Sequence, residues 1–296
     1  MHVTFWGVRG SIPAPGPGTV RYGGNTSCVS VRTEAGALLI LDCGTGARNL
    51  GLALLGEEET ERDGFRDGEG EAAILLSHTH WDHIQGFPFF SPLYIPGNTF
   101  KVYGPAQSSA LLEGILEGQM APQYFPVQTL KNMGAHIEIK AVAAGVPFDL
   151  FGCRVTAVVN QRGERTAMAF RIEEAGRSLV YASDAGYGPD GPSAEALALY
   201  HGADLLIHDS TYTPEDAARY PQRGLASVSE AVTAAVRAEA RMLALFHYDQ
   251  DYSDADVDAL VERGRREVAA TATARAASAK RPMELLAAAE GLTLHL

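Results

Sequence analysis

The amino-acid sequence predicts an α/β protein with β-sheets inside and helices outside. Three observations carry this. Short apolar or β-branched runs bounded by Gly/Pro-rich turns dominate the early part of the chain, helix-length segments alternate with such runs later, and no repeat or clear linker interrupts the 296 residues. One domain spanning 1–296 is therefore expected, and a hydrophobic content of 46% is enough to fill a core of that size.

In chain order, strands are read at 2–8, 27–32 and 37–41, with the Gly/Pro-rich segment 11–24 between the first two. An apolar run, 72–76, follows. The segment 87–126 is rich in aromatics and prolines, contains a helix at 108–118, and reads as a pocket wall. Strands follow at about 135–142, 153–159, 167–172 and 178–182. Then come a helix at 193–201, a strand at 204–208, a helix at 227–240, a strand at 241–246, a long helix from about Ser253, and a closing strand at 292–296. The Ala-rich stretch 268–279 suits a helix, and a pseudo-symmetric relation between the two halves is expected.

Composition excludes several functions. No stretch approaches the roughly 18 apolar residues of a membrane span, and the N-terminus lacks the pattern of a signal sequence, so a cytoplasmic protein without a membrane partner is expected. Cys28, Cys43 and Cys153 are odd in number and lie in or beside apolar runs, which suits reduced, buried thiols. The net charge is −12, and Gly56 to Glu71 holds eight acidic residues against Arg62 and Arg66, reading as a solvated loop. Without a Lys/Arg cluster the chain is a poor polyanion binder, so long nucleic acid is disfavoured as a partner and a small molecule is expected.

The most informative run is His78-Thr79-His80-Trp81-Asp82-His83, directly after the apolar run 72–76. Residues two apart on extended backbone point to one side, so His78 and His80 can share one ion while Asp82 and His83 open the next element and face a second. Imidazoles crowded beside a carboxylate at a strand end, in a chain with nine histidines, indicate metal binding rather than packing.

Together with Gly7-Val8-Arg9-Gly10-Ser11, Tyr22-Gly23-Gly24-Asn25-Thr26-Ser27-Cys28, Leu41-Asp42-Cys43-Gly44-Thr45-Gly46 and Gly86-Phe87-Pro88, this motif resembles the metallo-β-lactamase fold hydrolases, in particular the branch of tRNase Z and the phosphoribosyl cyclic phosphodiesterases. The resemblance spans nearly the whole chain. It implies a four-layer αββα sandwich, a dinuclear site (usually zinc, with manganese or iron as alternatives), phosphodiester hydrolysis and a homodimer. Carried over, it makes His78 and His80 ligands of the first ion and Asp82 and His83 ligands of the second. Asp184 becomes the bridging carboxylate and His247 the last ligand of the second ion. Asp184 and His247 each follow an apolar run that would deliver them to the same sheet edge. Asp42 resembles a carboxylate that orients a ligand histidine, although Asp-Cys-Gly also suits a plain turn.

The pattern breaks twice. Gln161, in Val159-Asn160-Gln161-Arg162-Gly163, stands where the family places a histidine ligand, and an amide oxygen is a much weaker zinc ligand, so the first site is expected to be weakened. His136 and His201 are the remaining histidines to consider, both read as surface residues. Asp209 keeps the acid of a proton relay, yet Ala226 stands where its histidine partner is expected, leaving Asp209 a catalytic candidate or a turn cap.

The expected activity is hydrolysis of small or cyclic nucleotide-type phosphodiesters through a metal-bound hydroxide held by Asp82, with Arg9, Asn25, Arg162 and Arg165 as phosphate contacts. The alternatives are hydrolysis of an acyl ester, lactone or thioester, and a metal- or ligand-binding protein without turnover.

Overall fold

The computed structural model describes residues 1–56, 64–105, 107–126, 129–160, 167–187, 190–274 and 283–296. Fourteen strands are described: β1 (His2–Gly7), β2 (Cys28–Arg32), β3 (Leu38–Leu41), β4 (Glu71–Leu75), β5 (Thr99–Gly104), β6 (His136–Ala141), β7 (Phe148–Leu150), β8 (Cys153–Val159), β9 (Met168–Glu174), β10 (Arg177–Ala182), β11 (Leu205–Asp209), β12 (Met242–Phe246), β13 (Glu284–Ala287) and β14 (Thr293–His295). The helices are α1 (Gly46–Leu54), α2 (Trp81–Ile84), α3 (Ser109–Gly118), α4 (Ala194–Tyr200), α5 (Pro214–Arg219), α6 (Val228–Arg237) and α7 (Asp254–Ala274).

The strands form two seven-stranded sheets, β14-β1-β2-β3-β4-β5-β6 and β13-β12-β11-β10-β9-β8-β7. Each begins with antiparallel pairs and continues as a parallel run, β3 to β6 in one and β10 to β13 in the other, which is the internal repetition the sequence hinted at. β14 returns to pair with β1, tying the end of the chain to its start.

Side-chain alternation builds the layers. On β3 and β4, Leu39, Leu41, Ala73 and Leu75 join the core shared with the second sheet, where they meet the cluster that includes Val155, Phe170, Ile172 and Leu179. Their neighbours Leu38, Ile40, Ala72 and Ile74 face the other way, against Ala47, Leu50 and Leu54 of α1 and Leu112 and Leu116 of α3. On the second sheet, α4 packs on β8 and β9, α6 on β11 and β12, and α7 on β13. The result is helices, sheet, sheet, helices, the four-layer αββα sandwich.

Several short elements escape the sequence pattern. α1 and β5 lie in segments read as turns and pocket wall, and β7, β13 and α5 were not anticipated. β5 (Thr99-Phe-Lys-Val-Tyr-Gly) is interior to the sheet because β4 and β6 flank it. Its assignment comes from pairing, which a run broken by Lys101 does not advertise. The acidic segment is not wholly solvated: residues 57–63 lie outside the described residues, but Phe65 is buried against Phe100 and its carbonyl accepts a hydrogen bond from Asn98. All three cysteines are free, and all are buried. Of the Ala-rich stretch, 275–279 also lies outside the described residues, while α7 reaches Ala274.

Candidate metal centre

Parallel strands all present their carboxyl ends on one edge, and both sheets place that edge at the same end of the molecule. Asp42 follows β3, the histidine motif follows β4, Asp184 follows β10, Asp209 ends β11 and His247 follows β12. Three of these, Asp42, Asp184 and His247, leave their strands with φ of 56°, 51° and 62°. Left-handed backbone is uncommon outside glycine, and Asp and His are among the side chains that tolerate it. The turn stops the strand and aims the side chain across the edge, so the local strain is coupled to the placement of these groups.

Six side chains converge there in two sets: His78, His80 and Asp184, and Asp82, His83 and His247. Asp184 joins the sets, since its Oδ1 lies 3.1 Å from Nε2 of both His83 and His247 while its Oδ2 lies 3.6 Å from His78 Nε2. Asp82 Oδ2 is 3.3 Å from the same two Nε2 atoms, and His78 Nε2 is 2.8 Å from His80 Nδ1. Ligand atoms arranged tetrahedrally about an ion at 2.0–2.1 Å stand about 3.3 Å apart, which is the spacing of the second set.

A further observation tests the fit. His83 Nε2 is buried without a hydrogen bond; the nearby Asp184 oxygen is out of line for one. Buried polar atoms in native folds are almost always satisfied, so an orphan aimed between two carboxylates suits a cation. The donor set of imidazoles and carboxylates fits a divalent ion of the zinc, manganese or iron type.

The candidate ligands are held from behind. The fully buried Asp42 accepts hydrogen bonds from the Ser77 amide (2.6 Å), Ser77 Oγ (2.7 Å), Tyr181 Oη (2.7 Å) and His83 Nδ1 (2.7 Å). Because Ser77 Oγ donates to Asp42, it accepts from His78 Nδ1 at 3.1 Å. One carboxylate thus sets the tautomer of a histidine in each set, leaving both Nε2 atoms for the ion. His247 is oriented through Thr211: its Nδ1 lies 3.0 Å from Thr211 Oγ1, which donates to Asp209 Oδ1 at 2.6 Å. The Ser11 amide, at φ 67°, donates to Asp82 Oδ2 at 2.7 Å. Gly10 beside it cannot be larger, because a Cβ there would stand 2.3 Å from the His247 ring. Ser77, Tyr181, Thr211 and Gly10 carry no spacing signal for these roles.

Charge follows the geometry. Burial lowers His78 to about 4, helped by neighbouring His83. Burial also works against protonation of His83 and His247, but Asp82, Asp42 and Asp184 hold His83 well above its ordinary value, and Asp184, Asp82 and Asp209 lift His247 to about 9. The reverse holds for Asp82 and Asp184, which the histidines keep well below the usual carboxylate range despite burial. Asp209, fully buried, is pushed up to about 7.

Several sequence expectations change. Arg9 is not a phosphate contact: it is fully buried and its guanidinium donates to the carbonyls of Gly23, Asp249 and Tyr252, joining the N-terminal loop to the segment after β12. The Asn25 side-chain amide donates to Glu290 Oε2. Gln161, Arg162 and Arg165 lie outside the described residues. His136 and His201 are exposed, and neither joins a metal-competent group among the described residues. Ala226 meets Asp209 only through its backbone amide, 3.2 Å from Oδ2, so no side-chain relay runs between them.

An αββα sandwich with paired His/Asp sets at the carboxyl edge of both sheets defines a metal-dependent hydrolase of the metallo-β-lactamase fold. The chain belongs to the beta-lactamase superfamily, whose domain model matches residues 39–248. A Ribonuclease Z of Natronomonas pharaonis is 27% identical over 301 residues, covering 86% of this chain and 88% of that protein. Among solved structures, a diphosphatase from the PhnP family superposes with a TM-score of 0.63 at 20% identity, covering 100% of this chain and 97% of that one. Zn(2+)-bound PqqB from Methylobacterium extorquens gives 0.66 at 19% identity, with 100% of both chains covered. The resemblance read from the motifs is thereby borne out.

Proposed function

We propose that the chain is a metal-dependent phosphodiesterase acting on small or cyclic nucleotide-type phosphodiesters, with His78, His80 and Asp184 around one ion and Asp82, His83, Asp184 and His247 around the other. The observation that carries this is the Asp184 carboxylate, which faces both sets, together with the unpartnered His83 Nε2 between it and Asp82. Bound divalent ions supply Lewis acidity, making water nucleophilic near neutral pH and offsetting charge on phosphoryl oxygens. The relatives named Ribonuclease Z support the phosphodiester, and the diphosphatase supports phosphoryl chemistry more broadly. The net charge of −12 favours a small substrate over a long nucleic acid. No helix among the described residues is long and apolar enough to cross a membrane, in keeping with a cytoplasmic enzyme.

The chain's own residues do three things in this reading. Asp42 and Ser77 hold the histidines of both sets in the tautomer that presents Nε2. Asp82, fixed by the Ser11 amide and beside His83 and His247, is the carboxylate placed to orient the attacking water. Asp209 acts through Thr211 on His247, as a positioning residue. With Ala226 opposite it, no side chain there hands a proton to the leaving group, so substrates with stable leaving groups are favoured. That same observation favours a second reading, hydrolysis of an acyl ester, lactone or thioester by the same water.

Elemental mass spectrometry of protein purified without chelator, paired with turnover of bis(p-nitrophenyl) phosphate and of p-nitrophenyl acetate, tests the proposal. Two ions per chain with metal-dependent phosphodiester turnover is expected. Acyl turnover alone would transfer the assignment to the second reading, and one ion or none without turnover would leave a metal- or ligand-binding protein.

A further inference from the structure

The histidine loop faces two ways. His78, His80, Asp82 and His83 turn to the metal centre, while Thr79, Trp81 and Gln85 line a cleft of about 560 Å³ on the other flank. None of the six candidate ligands lines that cleft, yet Trp81 stands between two of them, one Cα spacing of about 3.8 Å from each. The opposite wall comes from the segment after the motif, including Phe89, Gln119, Tyr124 and Phe125.

Three properties of this cleft go together. First, it presents bare aromatic faces: Trp81 is 74% exposed, Phe89 56% and Tyr124 80%, with Phe89 held edge-on by Phe125 at 5.1 Å. Large side chains left in water at one place mark a binding surface more often than a packing defect. Second, Gln119 Nε2 is buried without a hydrogen-bond partner, a donor waiting for an acceptor. Third, in a chain of net charge −12, no carboxylate lines the cleft among the described residues, and Arg48 supplies the one cation.

We propose that this cleft is a nucleobase subsite, in which a planar, uncharged ring stacks among Trp81, Phe89 and Tyr124 and accepts a hydrogen bond from Gln119, while the attached phosphodiester reaches the metal centre past Trp81. The inference rests on the phosphodiesterase reading for what lies beyond the ring, and it adds the part of the substrate that reading leaves open. Aromatic stacking tolerates any base, because every base has a π-face; the single amide donor supplies the preference among them. Removing one stacking partner weakens base binding by about 5- to 150-fold in comparable sites.

The chain has two tryptophans, so a Trp6→Phe variant reports on Trp81 alone. The test is a fluorescence titration of this zinc-loaded variant with adenosine and uridine, which carry the ring and no phosphate. Saturable quenching is expected, with Kd raised about fivefold or more by Tyr124→Ala and by Gln119→Leu. In the native background, Trp81→Phe should abolish the response, which gives the same answer should Trp6→Phe not fold. Absence of saturable quenching, or a Kd unmoved by both cleft substitutions, would overturn the subsite. Bis(p-nitrophenyl) phosphate turnover on the same sample keeps the two ideas apart. Turnover without nucleoside binding removes the subsite and leaves the hydrolase, whereas nucleoside binding without turnover leaves the subsite and removes the hydrolase.

Discussion

Asp42→Asn is the substitution on which the site's construction depends most directly. The carboxylate takes four donors, with the Ser77 amide on Oδ1 and Ser77 Oγ, Tyr181 Oη and His83 Nδ1 on Oδ2. An asparagine offers one acceptor oxygen. If that oxygen faces the Ser77 amide, the NH₂ faces His83 Nδ1, which must then give up its proton and present N–H at Nε2, the wrong tautomer for binding a cation. If the oxygen faces His83 instead, the NH₂ opposes the Ser77 N–H and a buried backbone donor is orphaned. Charge-assisted bonds are worth about 1.5–3 kcal/mol each, and breaking a buried charged pair costs about 3–5 kcal/mol, so a loss of about 3–5 kcal/mol in unfolding free energy is expected. Loss of the orienting carboxylate should also weaken zinc by about 10- to 100-fold. Denaturant unfolding of the chelator-treated protein measures the first, and competition with a chromophoric chelator measures the second. A variant within about 1 kcal/mol of the parent, with zinc affinity within about twofold, would refute the reasoning.

Other consequences follow from the same geometry. With His247 near 9 and His83 well above its ordinary value, both hold a proton at pH 7 before metal enters, so zinc uptake should release a proton from each. Calorimetry in buffers of different ionisation enthalpy should report about two protons, and a slope near zero would count against the arrangement. Since the folded value of His247 is raised, its contribution to the stability of metal-free protein is fully present below about pH 6.5 and lost as pH climbs through about 9; melting of chelated protein should fall across that window. Asp184→Ala removes the group that faces both sets, so metal content should drop in both and turnover should vanish while circular dichroism stays native; retained activity would exclude the proposed site. Gly10→Ala would place a methyl 2.3 Å from the His247 ring, and metal in the set of Asp82, His83 and His247 should be lost selectively, which elemental analysis can decide.

The fold class and the histidine motif were legible because their signals are local. Short apolar or β-branched runs bounded by turns, and four ligand-type side chains within six residues, need no knowledge of the rest of the chain. Asp184 and His247 were legible through resemblance and through their place after strand-like runs, although 106 and 169 residues separate them from His78 in the chain, by subtraction of their numbers. The roles of Arg9 and Thr211 were not. Arg9 lies in a glycine-bounded loop that suits a phosphate contact, and only the fold shows that three backbone carbonyls from both ends of the chain have claimed it. Thr211 matters because β11 and β12 run parallel and side by side, bringing it within hydrogen-bond reach of His247.

The sequence by itself determined which residues can bind a cation and that strands would carry them, since ligand chemistry and side-chain periodicity are properties of short segments. Only the tertiary structure decided how closely the candidate ligands approach one another, that Asp42 orients histidines of both sets, and that Thr79, Trp81 and Gln85 face a separate aromatic cleft. The physical reason is that these facts depend on contacts among five parallel strand ends from two sheets and on left-handed turns at Asp42, Asp184 and His247. Neither is encoded in spacing along the chain.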